Sequence, residues 1–185
     1  LMCGLLRPDS GAVRLFGADP FHSTRAAAAS IGYVSQRFSL YGDLSIDENI
    51  AFFARLHGVT HFTDRRNRLL DLTGLLPFRD RLADKLSGGM KQKLALACTL
   101  VHEPRVLILD EPTTGVDPVS RREFWMLLTE FLSQGLTAVL ATPYLVEAQK
   151  CHRVALLREG AVLALDAARQ ARGRASSGRS VPTRS

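Results

Sequence analysis

The run Val106-Leu107-Ile108-Leu109 ends directly in two acids, Asp110 and Glu111. Four consecutive apolar residues read as a strand covered on both faces, the pattern of a parallel sheet enclosed by helices. Such a strand delivers whatever follows it to the carboxyl edge of the sheet, where open α/β folds bind their ligands. Two adjacent carboxylates in that place are costly to desolvate unless something uses them. In phosphoryl transfer an Asp here holds Mg²⁺, usually through water, and a neighbouring Glu orients or deprotonates the attacking water. Standing alone, the pair would read as two solvated acids at a strand end.

The surrounding chain supplies partners for that strand. Turn residues at Pro8–Gly11 and Gly17–Pro20 bracket a short expected strand, Ala12–Phe16, and the alanine-rich stretch after Ser23 suggests a helix to about Ser30. Ile31–Ser35 reads as a second strand. Ser45-x-x-Glu48 is a capping box ahead of an amphipathic helix through about His57. Helical patterns at about Thr63–Thr73 and Phe78–Asp84 follow with no strand signal between them, so residues 45–86 form an expected helical subdomain. A long helix, Gly88 to about His102, leads into the acid-tipped strand. Asp117-Pro118 then offers an N-cap and a first-turn proline to a helix with apolar residues at Phe124, Leu127, Leu128, Phe131 and Leu132. Strands at Thr137–Ala141, Val154–Leu157 and Ala161–Leu165 complete an α/β alternation with a mostly parallel sheet.

One further motif speaks to phosphate. Leu86-Ser87-Gly88-Gly89-Met90-Lys91-Gln92 places a hydroxyl and two glycines at the start of the long helix. Unpaired first-turn amides and the helix dipole favour an anion there, and the glycines let backbone approach it. By itself this is as readily a plain helix cap. Joined to the acid pair, it points to a nucleotide phosphate.

These motifs resemble the nucleotide-binding domain of ABC transporters. Leu86–Met90 is similar to the signature, Val106–Pro112 to the Walker B strand, Thr114–Pro118 to the D-loop, and Gly32–Gln36 to the Q-loop, in the family's order and spacing. The resemblance covers Leu1 to about Asp166. In finer detail it is closest in flavour to drug- and polyketide-efflux exporters with an ABC-2-type membrane subunit, and among these to the first domain of tandem forms. It implies a P-loop NTPase core (RecA-like) with a helical subdomain, within a partial ATPase domain at residues 1–170. It also implies ATP and Mg²⁺ as cofactors. Glu111 would position or deprotonate water, with Gln36 beside it, and Asp110 and Gln36 would contact Mg²⁺. Ser87, Gly88, Gly89 and Gln92 would serve nucleotide binding, with Asp117 coupling across a head-to-tail pair of ATPase domains. Localisation would be the cytoplasmic face of the membrane, through the transmembrane partner.

Two departures qualify what the resemblance implies. The phosphate loop G-x-x-x-x-G-K-[ST] is absent, since no Gly-Lys-Ser or Gly-Lys-Thr occurs in the 185 residues. Leu1–Leu6 resembles the helix that normally follows that loop, so the expectation is a chain whose N-terminal part is missing and which alone holds ATP weakly or not at all. Second, Thr142-Pro143-Tyr144 stands where the family usually has a histidine that donates to the γ-phosphate. Proline offers no side-chain donor, and losing one preorganised donor typically costs about 10² to 10³ in rate. The expectation is an asymmetric pair, in which this chain's signature serves a competent partner while Glu111 sits in a weak site. The alternative is a non-hydrolysing half that completes a partner's ATP site, or an inactive truncated product.

Composition excludes other classes. The longest apolar stretch, Leu94–Val101, is far short of the roughly 18 to 20 residues that cross a bilayer. Cys3, Cys98 and Cys151 are odd in number and widely spaced, which gives neither a disulfide framework nor a metal site. The net charge of +6 would suggest nucleic acid, but Arg169, Arg172, Arg174, Arg179 and Arg184 follow Asp166 without an acid, and 6 − 5 leaves +1 for the body. The expectation is a disordered basic tail, residues 171–185, and no nucleic-acid partner. A DNA- or ribosome-acting ATPase would need a coiled-coil insertion or a second domain, and these residues hold neither. His57 and His61 have i,i+4 spacing but Gly58 intervenes, so they read as a surface loop. Phe52, Phe53 and Leu56 read as core, and Phe38, Leu40 and Tyr41 as the docking surface for the membrane subunit.

Overall fold

The acid-tipped run is the centre of the sheet. In the computed structural model, which describes residues 2–22, 29–36 and 39–167, β1 (Ile31–Val34), β2 (Val106–Asp110) and β3 (Thr137–Ala141) lie in the order β1-β2-β3, all parallel. Tyr33, Ile108 and Val139 share one row across the strands, and Val34, Leu109 and Leu140 the next. The expected helix after Ser23, residues Arg37 and Phe38, and the tail lie outside the described residues.

Alternation of side chains gives the sheet two unlike faces. Val34, Leu107 and Leu109 belong to the main apolar cluster, with Ala138 and Leu140 packed against it. On the other face Ile31 and Val106 are buried, Ile108 is half-buried, and Tyr33 and Val139 are exposed. The expected burial on both faces therefore holds for most of β2 and fades toward the edge strands, while the larger cluster lies on the face that packs α3 (Gly88–Leu100) and α4 (Pro118–Ser133). Gly32 is required where α3 crosses β1, because a Cβ there would stand 2.7 Å from Thr99 Cγ2.

The helical region between Ser45 and Leu86 contains α1 (Ile46–Leu56) and α2 (Thr63–Leu72). The capping box forms as read: Glu48 N–H donates to Ser45 Oγ at 3.2 Å and Ser45 N–H to Glu48 Oε2 at 2.8 Å. Phe78–Asp84 is not the expected helix but two short 3₁₀ turns, Leu76–Phe78 and Ala83–Lys85. The reason lies in α1, whose first amides, Ile46 and Asp47, take the carbonyls of Arg81 and Arg79. In a helix over this segment the Arg79 carbonyl would instead accept from Ala83 N–H, which here donates to Leu44 C=O. Asp47 adds ion pairs to Arg66 and Arg79.

Ala12–Phe16 is likewise not a strand. A tight turn at Phe16-Gly17, both with positive φ, closes a single bridge between Leu15 and Ala18, and no neighbouring strand extends it among the described residues. The His102 ring stacks on His57 with centroids 3.7 Å apart. Burial, and secondarily His57, pushes the His102 imidazole down to about 4.

By contact density the chain divides after Ala141. The second unit holds α5 (Leu145–Ala148) and an antiparallel pair, β4 (Arg153–Arg158) and β5 (Ala161–Ala167), with an irregularity at Leu156/Leu157. Within it, Thr142 Oγ1 donates to the buried Glu147 carboxylate at 2.7 Å. No helix among the described residues is long and apolar enough to cross a membrane.

Candidate phosphate and acid site

Parallel pairing of β1 with β2 brings Gly32–Gln36 to the same sheet edge as the acids. Tyr33 hydroxyl donates to Asp110 Oδ2 at 3.2 Å, and Gln36 Nε2 to Glu111 Oε2 at 3.1 Å. Thr114 Oγ1 donates to the same Glu111 oxygen at 3.1 Å. Glu111 has φ +46°, a left-handed conformation a side-chain residue adopts at a cost and that concentrates at functional sites. Its backbone N–H is held by Ala141 C=O at 2.9 Å. The Glu111 carboxylate is thus aimed by two side-chain donors, with its backbone held by a third bond.

The charge of these carboxylates is uncompensated. No ion pair among the described residues includes Asp110 or Glu111, and the side-chain donors on them, Tyr33, Gln36 and Thr114, are neutral. Hard oxygens at a strand end, with neutral donors on one oxygen each, suit a divalent cation of the Mg²⁺ kind, which takes one or two carboxylates and keeps its waters. Burial and the bond to Asp110 raise the Tyr33 phenol, so it stays a protonated donor at neutral pH.

Ser87 caps α3, its Oγ accepting from Met90 N–H at 3.3 Å. Ser87 and Gly88 are exposed, and a Cβ on Gly88 would meet nothing within 4 Å. Gly89 is different: it is buried, and a Cβ there would collide with the Ser120 side chain. Gly88 leaves room for an approaching ligand, while Gly89 lets α3 and α4 meet. Asp117 caps α4, accepting from Val119 N–H at 3.0 Å and Ser120 N–H at 2.9 Å. Its bonds from Ser120 hold its carboxyl below the usual range.

Gln92 corrects a sequence expectation. It is fully buried and donates to Pro112 C=O, so its amide supports the acid loop and is not an open nucleotide contact. Its place one turn into a helix that buries most of its residues pulls it inward. Sequence reasoning missed Tyr33, Thr114 and Ser120. Tyr33 follows from strand register, which needs the pairing partner to be known. Thr114 had a local signal, a hydroxyl three residues after an acid in a turn.

Comparison with known proteins decides the family. The family described as "ABC transporter" matches residues 1–114. The chain belongs to the ABC transporter family. It is 50% identical over 165 residues to a probable multidrug ABC transporter ATP-binding protein, YbhF, of Escherichia coli strain K12, covering 88% of this chain and 28% of that protein. It is 38% identical over 172 residues to Nod factor export ATP-binding protein I of Burkholderia pseudomallei strain 1710b, covering 91% of this chain and 57% of that one. The chain therefore spans between a quarter and three-fifths of these two relatives.

Solved ABC structures share the fold. An ATP-binding subunit of an ABC transporter superposes with TM-score 0.81 at 26% identity, covering 97% of this chain and 76% of that one. CbiO1 from Clostridium perfringens, part of the cbiONQ complex, gives 0.85 at 29% identity, with 94% and 72% covered. The fold is that of an ABC ATPase subunit, an α/β P-loop NTPase core with a helical subdomain.

Proposed function

We propose that this chain is part of the ATP-driven motor of an ABC exporter, one ATPase domain over residues 1–170 with a helical subdomain at about 45–86. The observation that carries this reading is the pair Asp110 and Glu111, held at the end of a central parallel strand by neutral donors alone. Asp110 would hold Mg²⁺ with Gln36 nearby; when bound, that ion neutralises charge on the transferring phosphate. Glu111 positions or deprotonates the attacking water, and Gln36 and Thr114 fix its carboxylate. Ser87 and Gly88 present a hydroxyl and open backbone to the γ-phosphate of a partner domain's nucleotide. Asp117, at the start of α4, couples the two sites. The names of two relatives, one multidrug and one Nod factor export, support an efflux role, and the ABC-2-type membrane subunit is what the family resemblance adds.

A second reading rests on Pro143. Without a donor at that position, Glu111's own site is slow, and the chain acts chiefly by lending its signature to a competent partner. A partner of this kind would be a second ABC ATPase domain that carries a phosphate loop. The test is light scattering on this chain mixed with such a domain in its hydrolysis-blocked form. MgATP should drive a stable pair, and association indifferent to nucleotide would contradict the reading. For the membrane subunit, Tyr41 is the anchor: its ring is 45% exposed and packs on Phe52 with centroids 4.5 Å apart, while Asn49 clamps the backbone at Tyr41, Leu44 and Ser45. Tyr41→Asp should abolish recovery with the membrane fraction while melting stays unchanged. Unaltered recovery would count against docking there.

A further inference from the structure

Ser87 and Gln92 stand at the start of the same helix and face opposite ways. Ser87 and Gly88 are exposed, whereas Gln92 is wholly buried with its amide N–H on Pro112 C=O. Pro112 directly follows Glu111, whose carboxylate is held by Gln36 and Thr114. One side-chain amide thus joins the first turns of α3 to the loop behind the acid. A second contact lies alongside, where Gly89 packs against Ser120 and Ser120 N–H is capped by Asp117. The exposed turn and the loop 111–120 are fixed to each other at two points of one chain.

Packing does not account for the amide. Gln92 Oε1 has no hydrogen-bond partner among the described residues, so burial of this amide is only half compensated. Methionine would remove that orphan oxygen and leave Pro112 C=O unpaired in its place, so the number of orphaned acceptors at this contact is one in either case. The bond to the acid loop is what glutamine adds.

We propose that Gln92 is a positioning residue that transmits the seating of a phosphate against Ser87 and Gly88 to the loop that aims Glu111, and the reverse. This rests on the functional reading above and deepens it: the same chain couples the signature it lends to the acid it keeps. Of the two contacts only the Gln92 bond reaches the residue next to Glu111, so removing that donor loosens the link to the acid without touching nucleotide.

The test is MgATP hydrolysis by the assembled transporter. Gln92→Met is expected to lower maximal turnover about tenfold with half-saturation changed by less than about twofold, the pattern of lost transition-state positioning rather than lost binding. Its melting temperature should stay within about 4 °C of wild type. Gln92→Lys, which keeps an N–H donor of similar reach, should recover at least half of the lost turnover. Unchanged turnover in Gln92→Met overturns the link, as does a raised half-saturation at full turnover, which would make Gln92 a nucleotide contact. A Gln92→Lys variant as slow as Gln92→Met also overturns it. If Gln92→Met fails to fold, Gln92→Lys decides alone: wild-type melting with turnover lowered tenfold contradicts the proposal, and near-normal turnover supports it. Ser87→Ala is measured alongside. If Ser87→Ala leaves turnover unchanged, the functional reading itself fails; if Ser87→Ala is slow and Gln92→Met is not, the link alone fails.

Discussion

The acid loop and the glycine turn are built in opposite ways. At Asp110 and Glu111 the donors are already in place: Tyr33, Gln36 and Thr114 point at the carboxylates from the same chain. Ser87 and Gly88 are exposed, and among the described residues nothing stands within 4 Å of where a Cβ on Gly88 would be. One region is organised inward and the other outward. The difference suits the proposed pairing, in which an oriented acid has a phosphate brought to it and an open helix start meets one held elsewhere.

Predictions that break or sharpen this contrast can be ranked by size. Gly88→Asp puts a carboxylate where the anion should sit, and hydrolysis by the assembled pair should fall at least about 10²-fold, with melting unchanged because the position is open. A drop in melting would show that the turn is not outward-facing. Gly89→Ala should behave in the other way, destabilising by about 1–3 kcal/mol through overpacking on Ser120. Urea denaturation checks this, and Ser120→Gly in the same chain should restore most of the loss. Equal behaviour of Gly88 and Gly89 would erase the distinction.

Smaller effects test the inward region. Thr114→Val removes one neutral donor from an exposed bond and should cost under about 1 kcal/mol of orientation, read as a several-fold slower turnover with stability unchanged. The smallest concerns Asp117. Its carboxyl titrates lower in the folded chain than the usual 3.8 because of the Ser120 bonds, so its contribution is present above about pH 3.8 and is lost as pH falls through the lower, folded value. Asp117→Asn, which still caps, should flatten that acid limb of the melting curve. An unchanged limb would mean that the cap does not carry it.

Much of this was legible in the sequence, and what was not has physical reasons. β2, β3, α3 and α4 were readable because apolar period and caps agree locally: Ser45-Glu48 and Asp117-Pro118 form the caps their residue types predict. Phe78–Asp84 was misread because its carbonyls are claimed by a distant helix start, which no local propensity records. The stack of His57 on His102 joins helix ends far apart in the chain. In the site, Asp110, Glu111 and Gln36 were readable as types and spacing, and the structure brings them together. Gln92 was taken for an open contact because motif position says nothing of which way a helical side chain turns. Gly88 and Gly89 look identical in sequence, and only the neighbour Ser120 separates them.

The most direct test compares two single substitutions, Gly88→Asp and Glu111→Gln, in MgATP hydrolysis by the assembled transporter. If the chain lends its signature to a partner and aims Glu111 at its own site, with both sites needed for turnover, Gly88→Asp should lower hydrolysis at least about 10²-fold and Glu111→Gln about 10²- to 10⁴-fold. Turnover within about twofold of wild type in either variant would contradict the account.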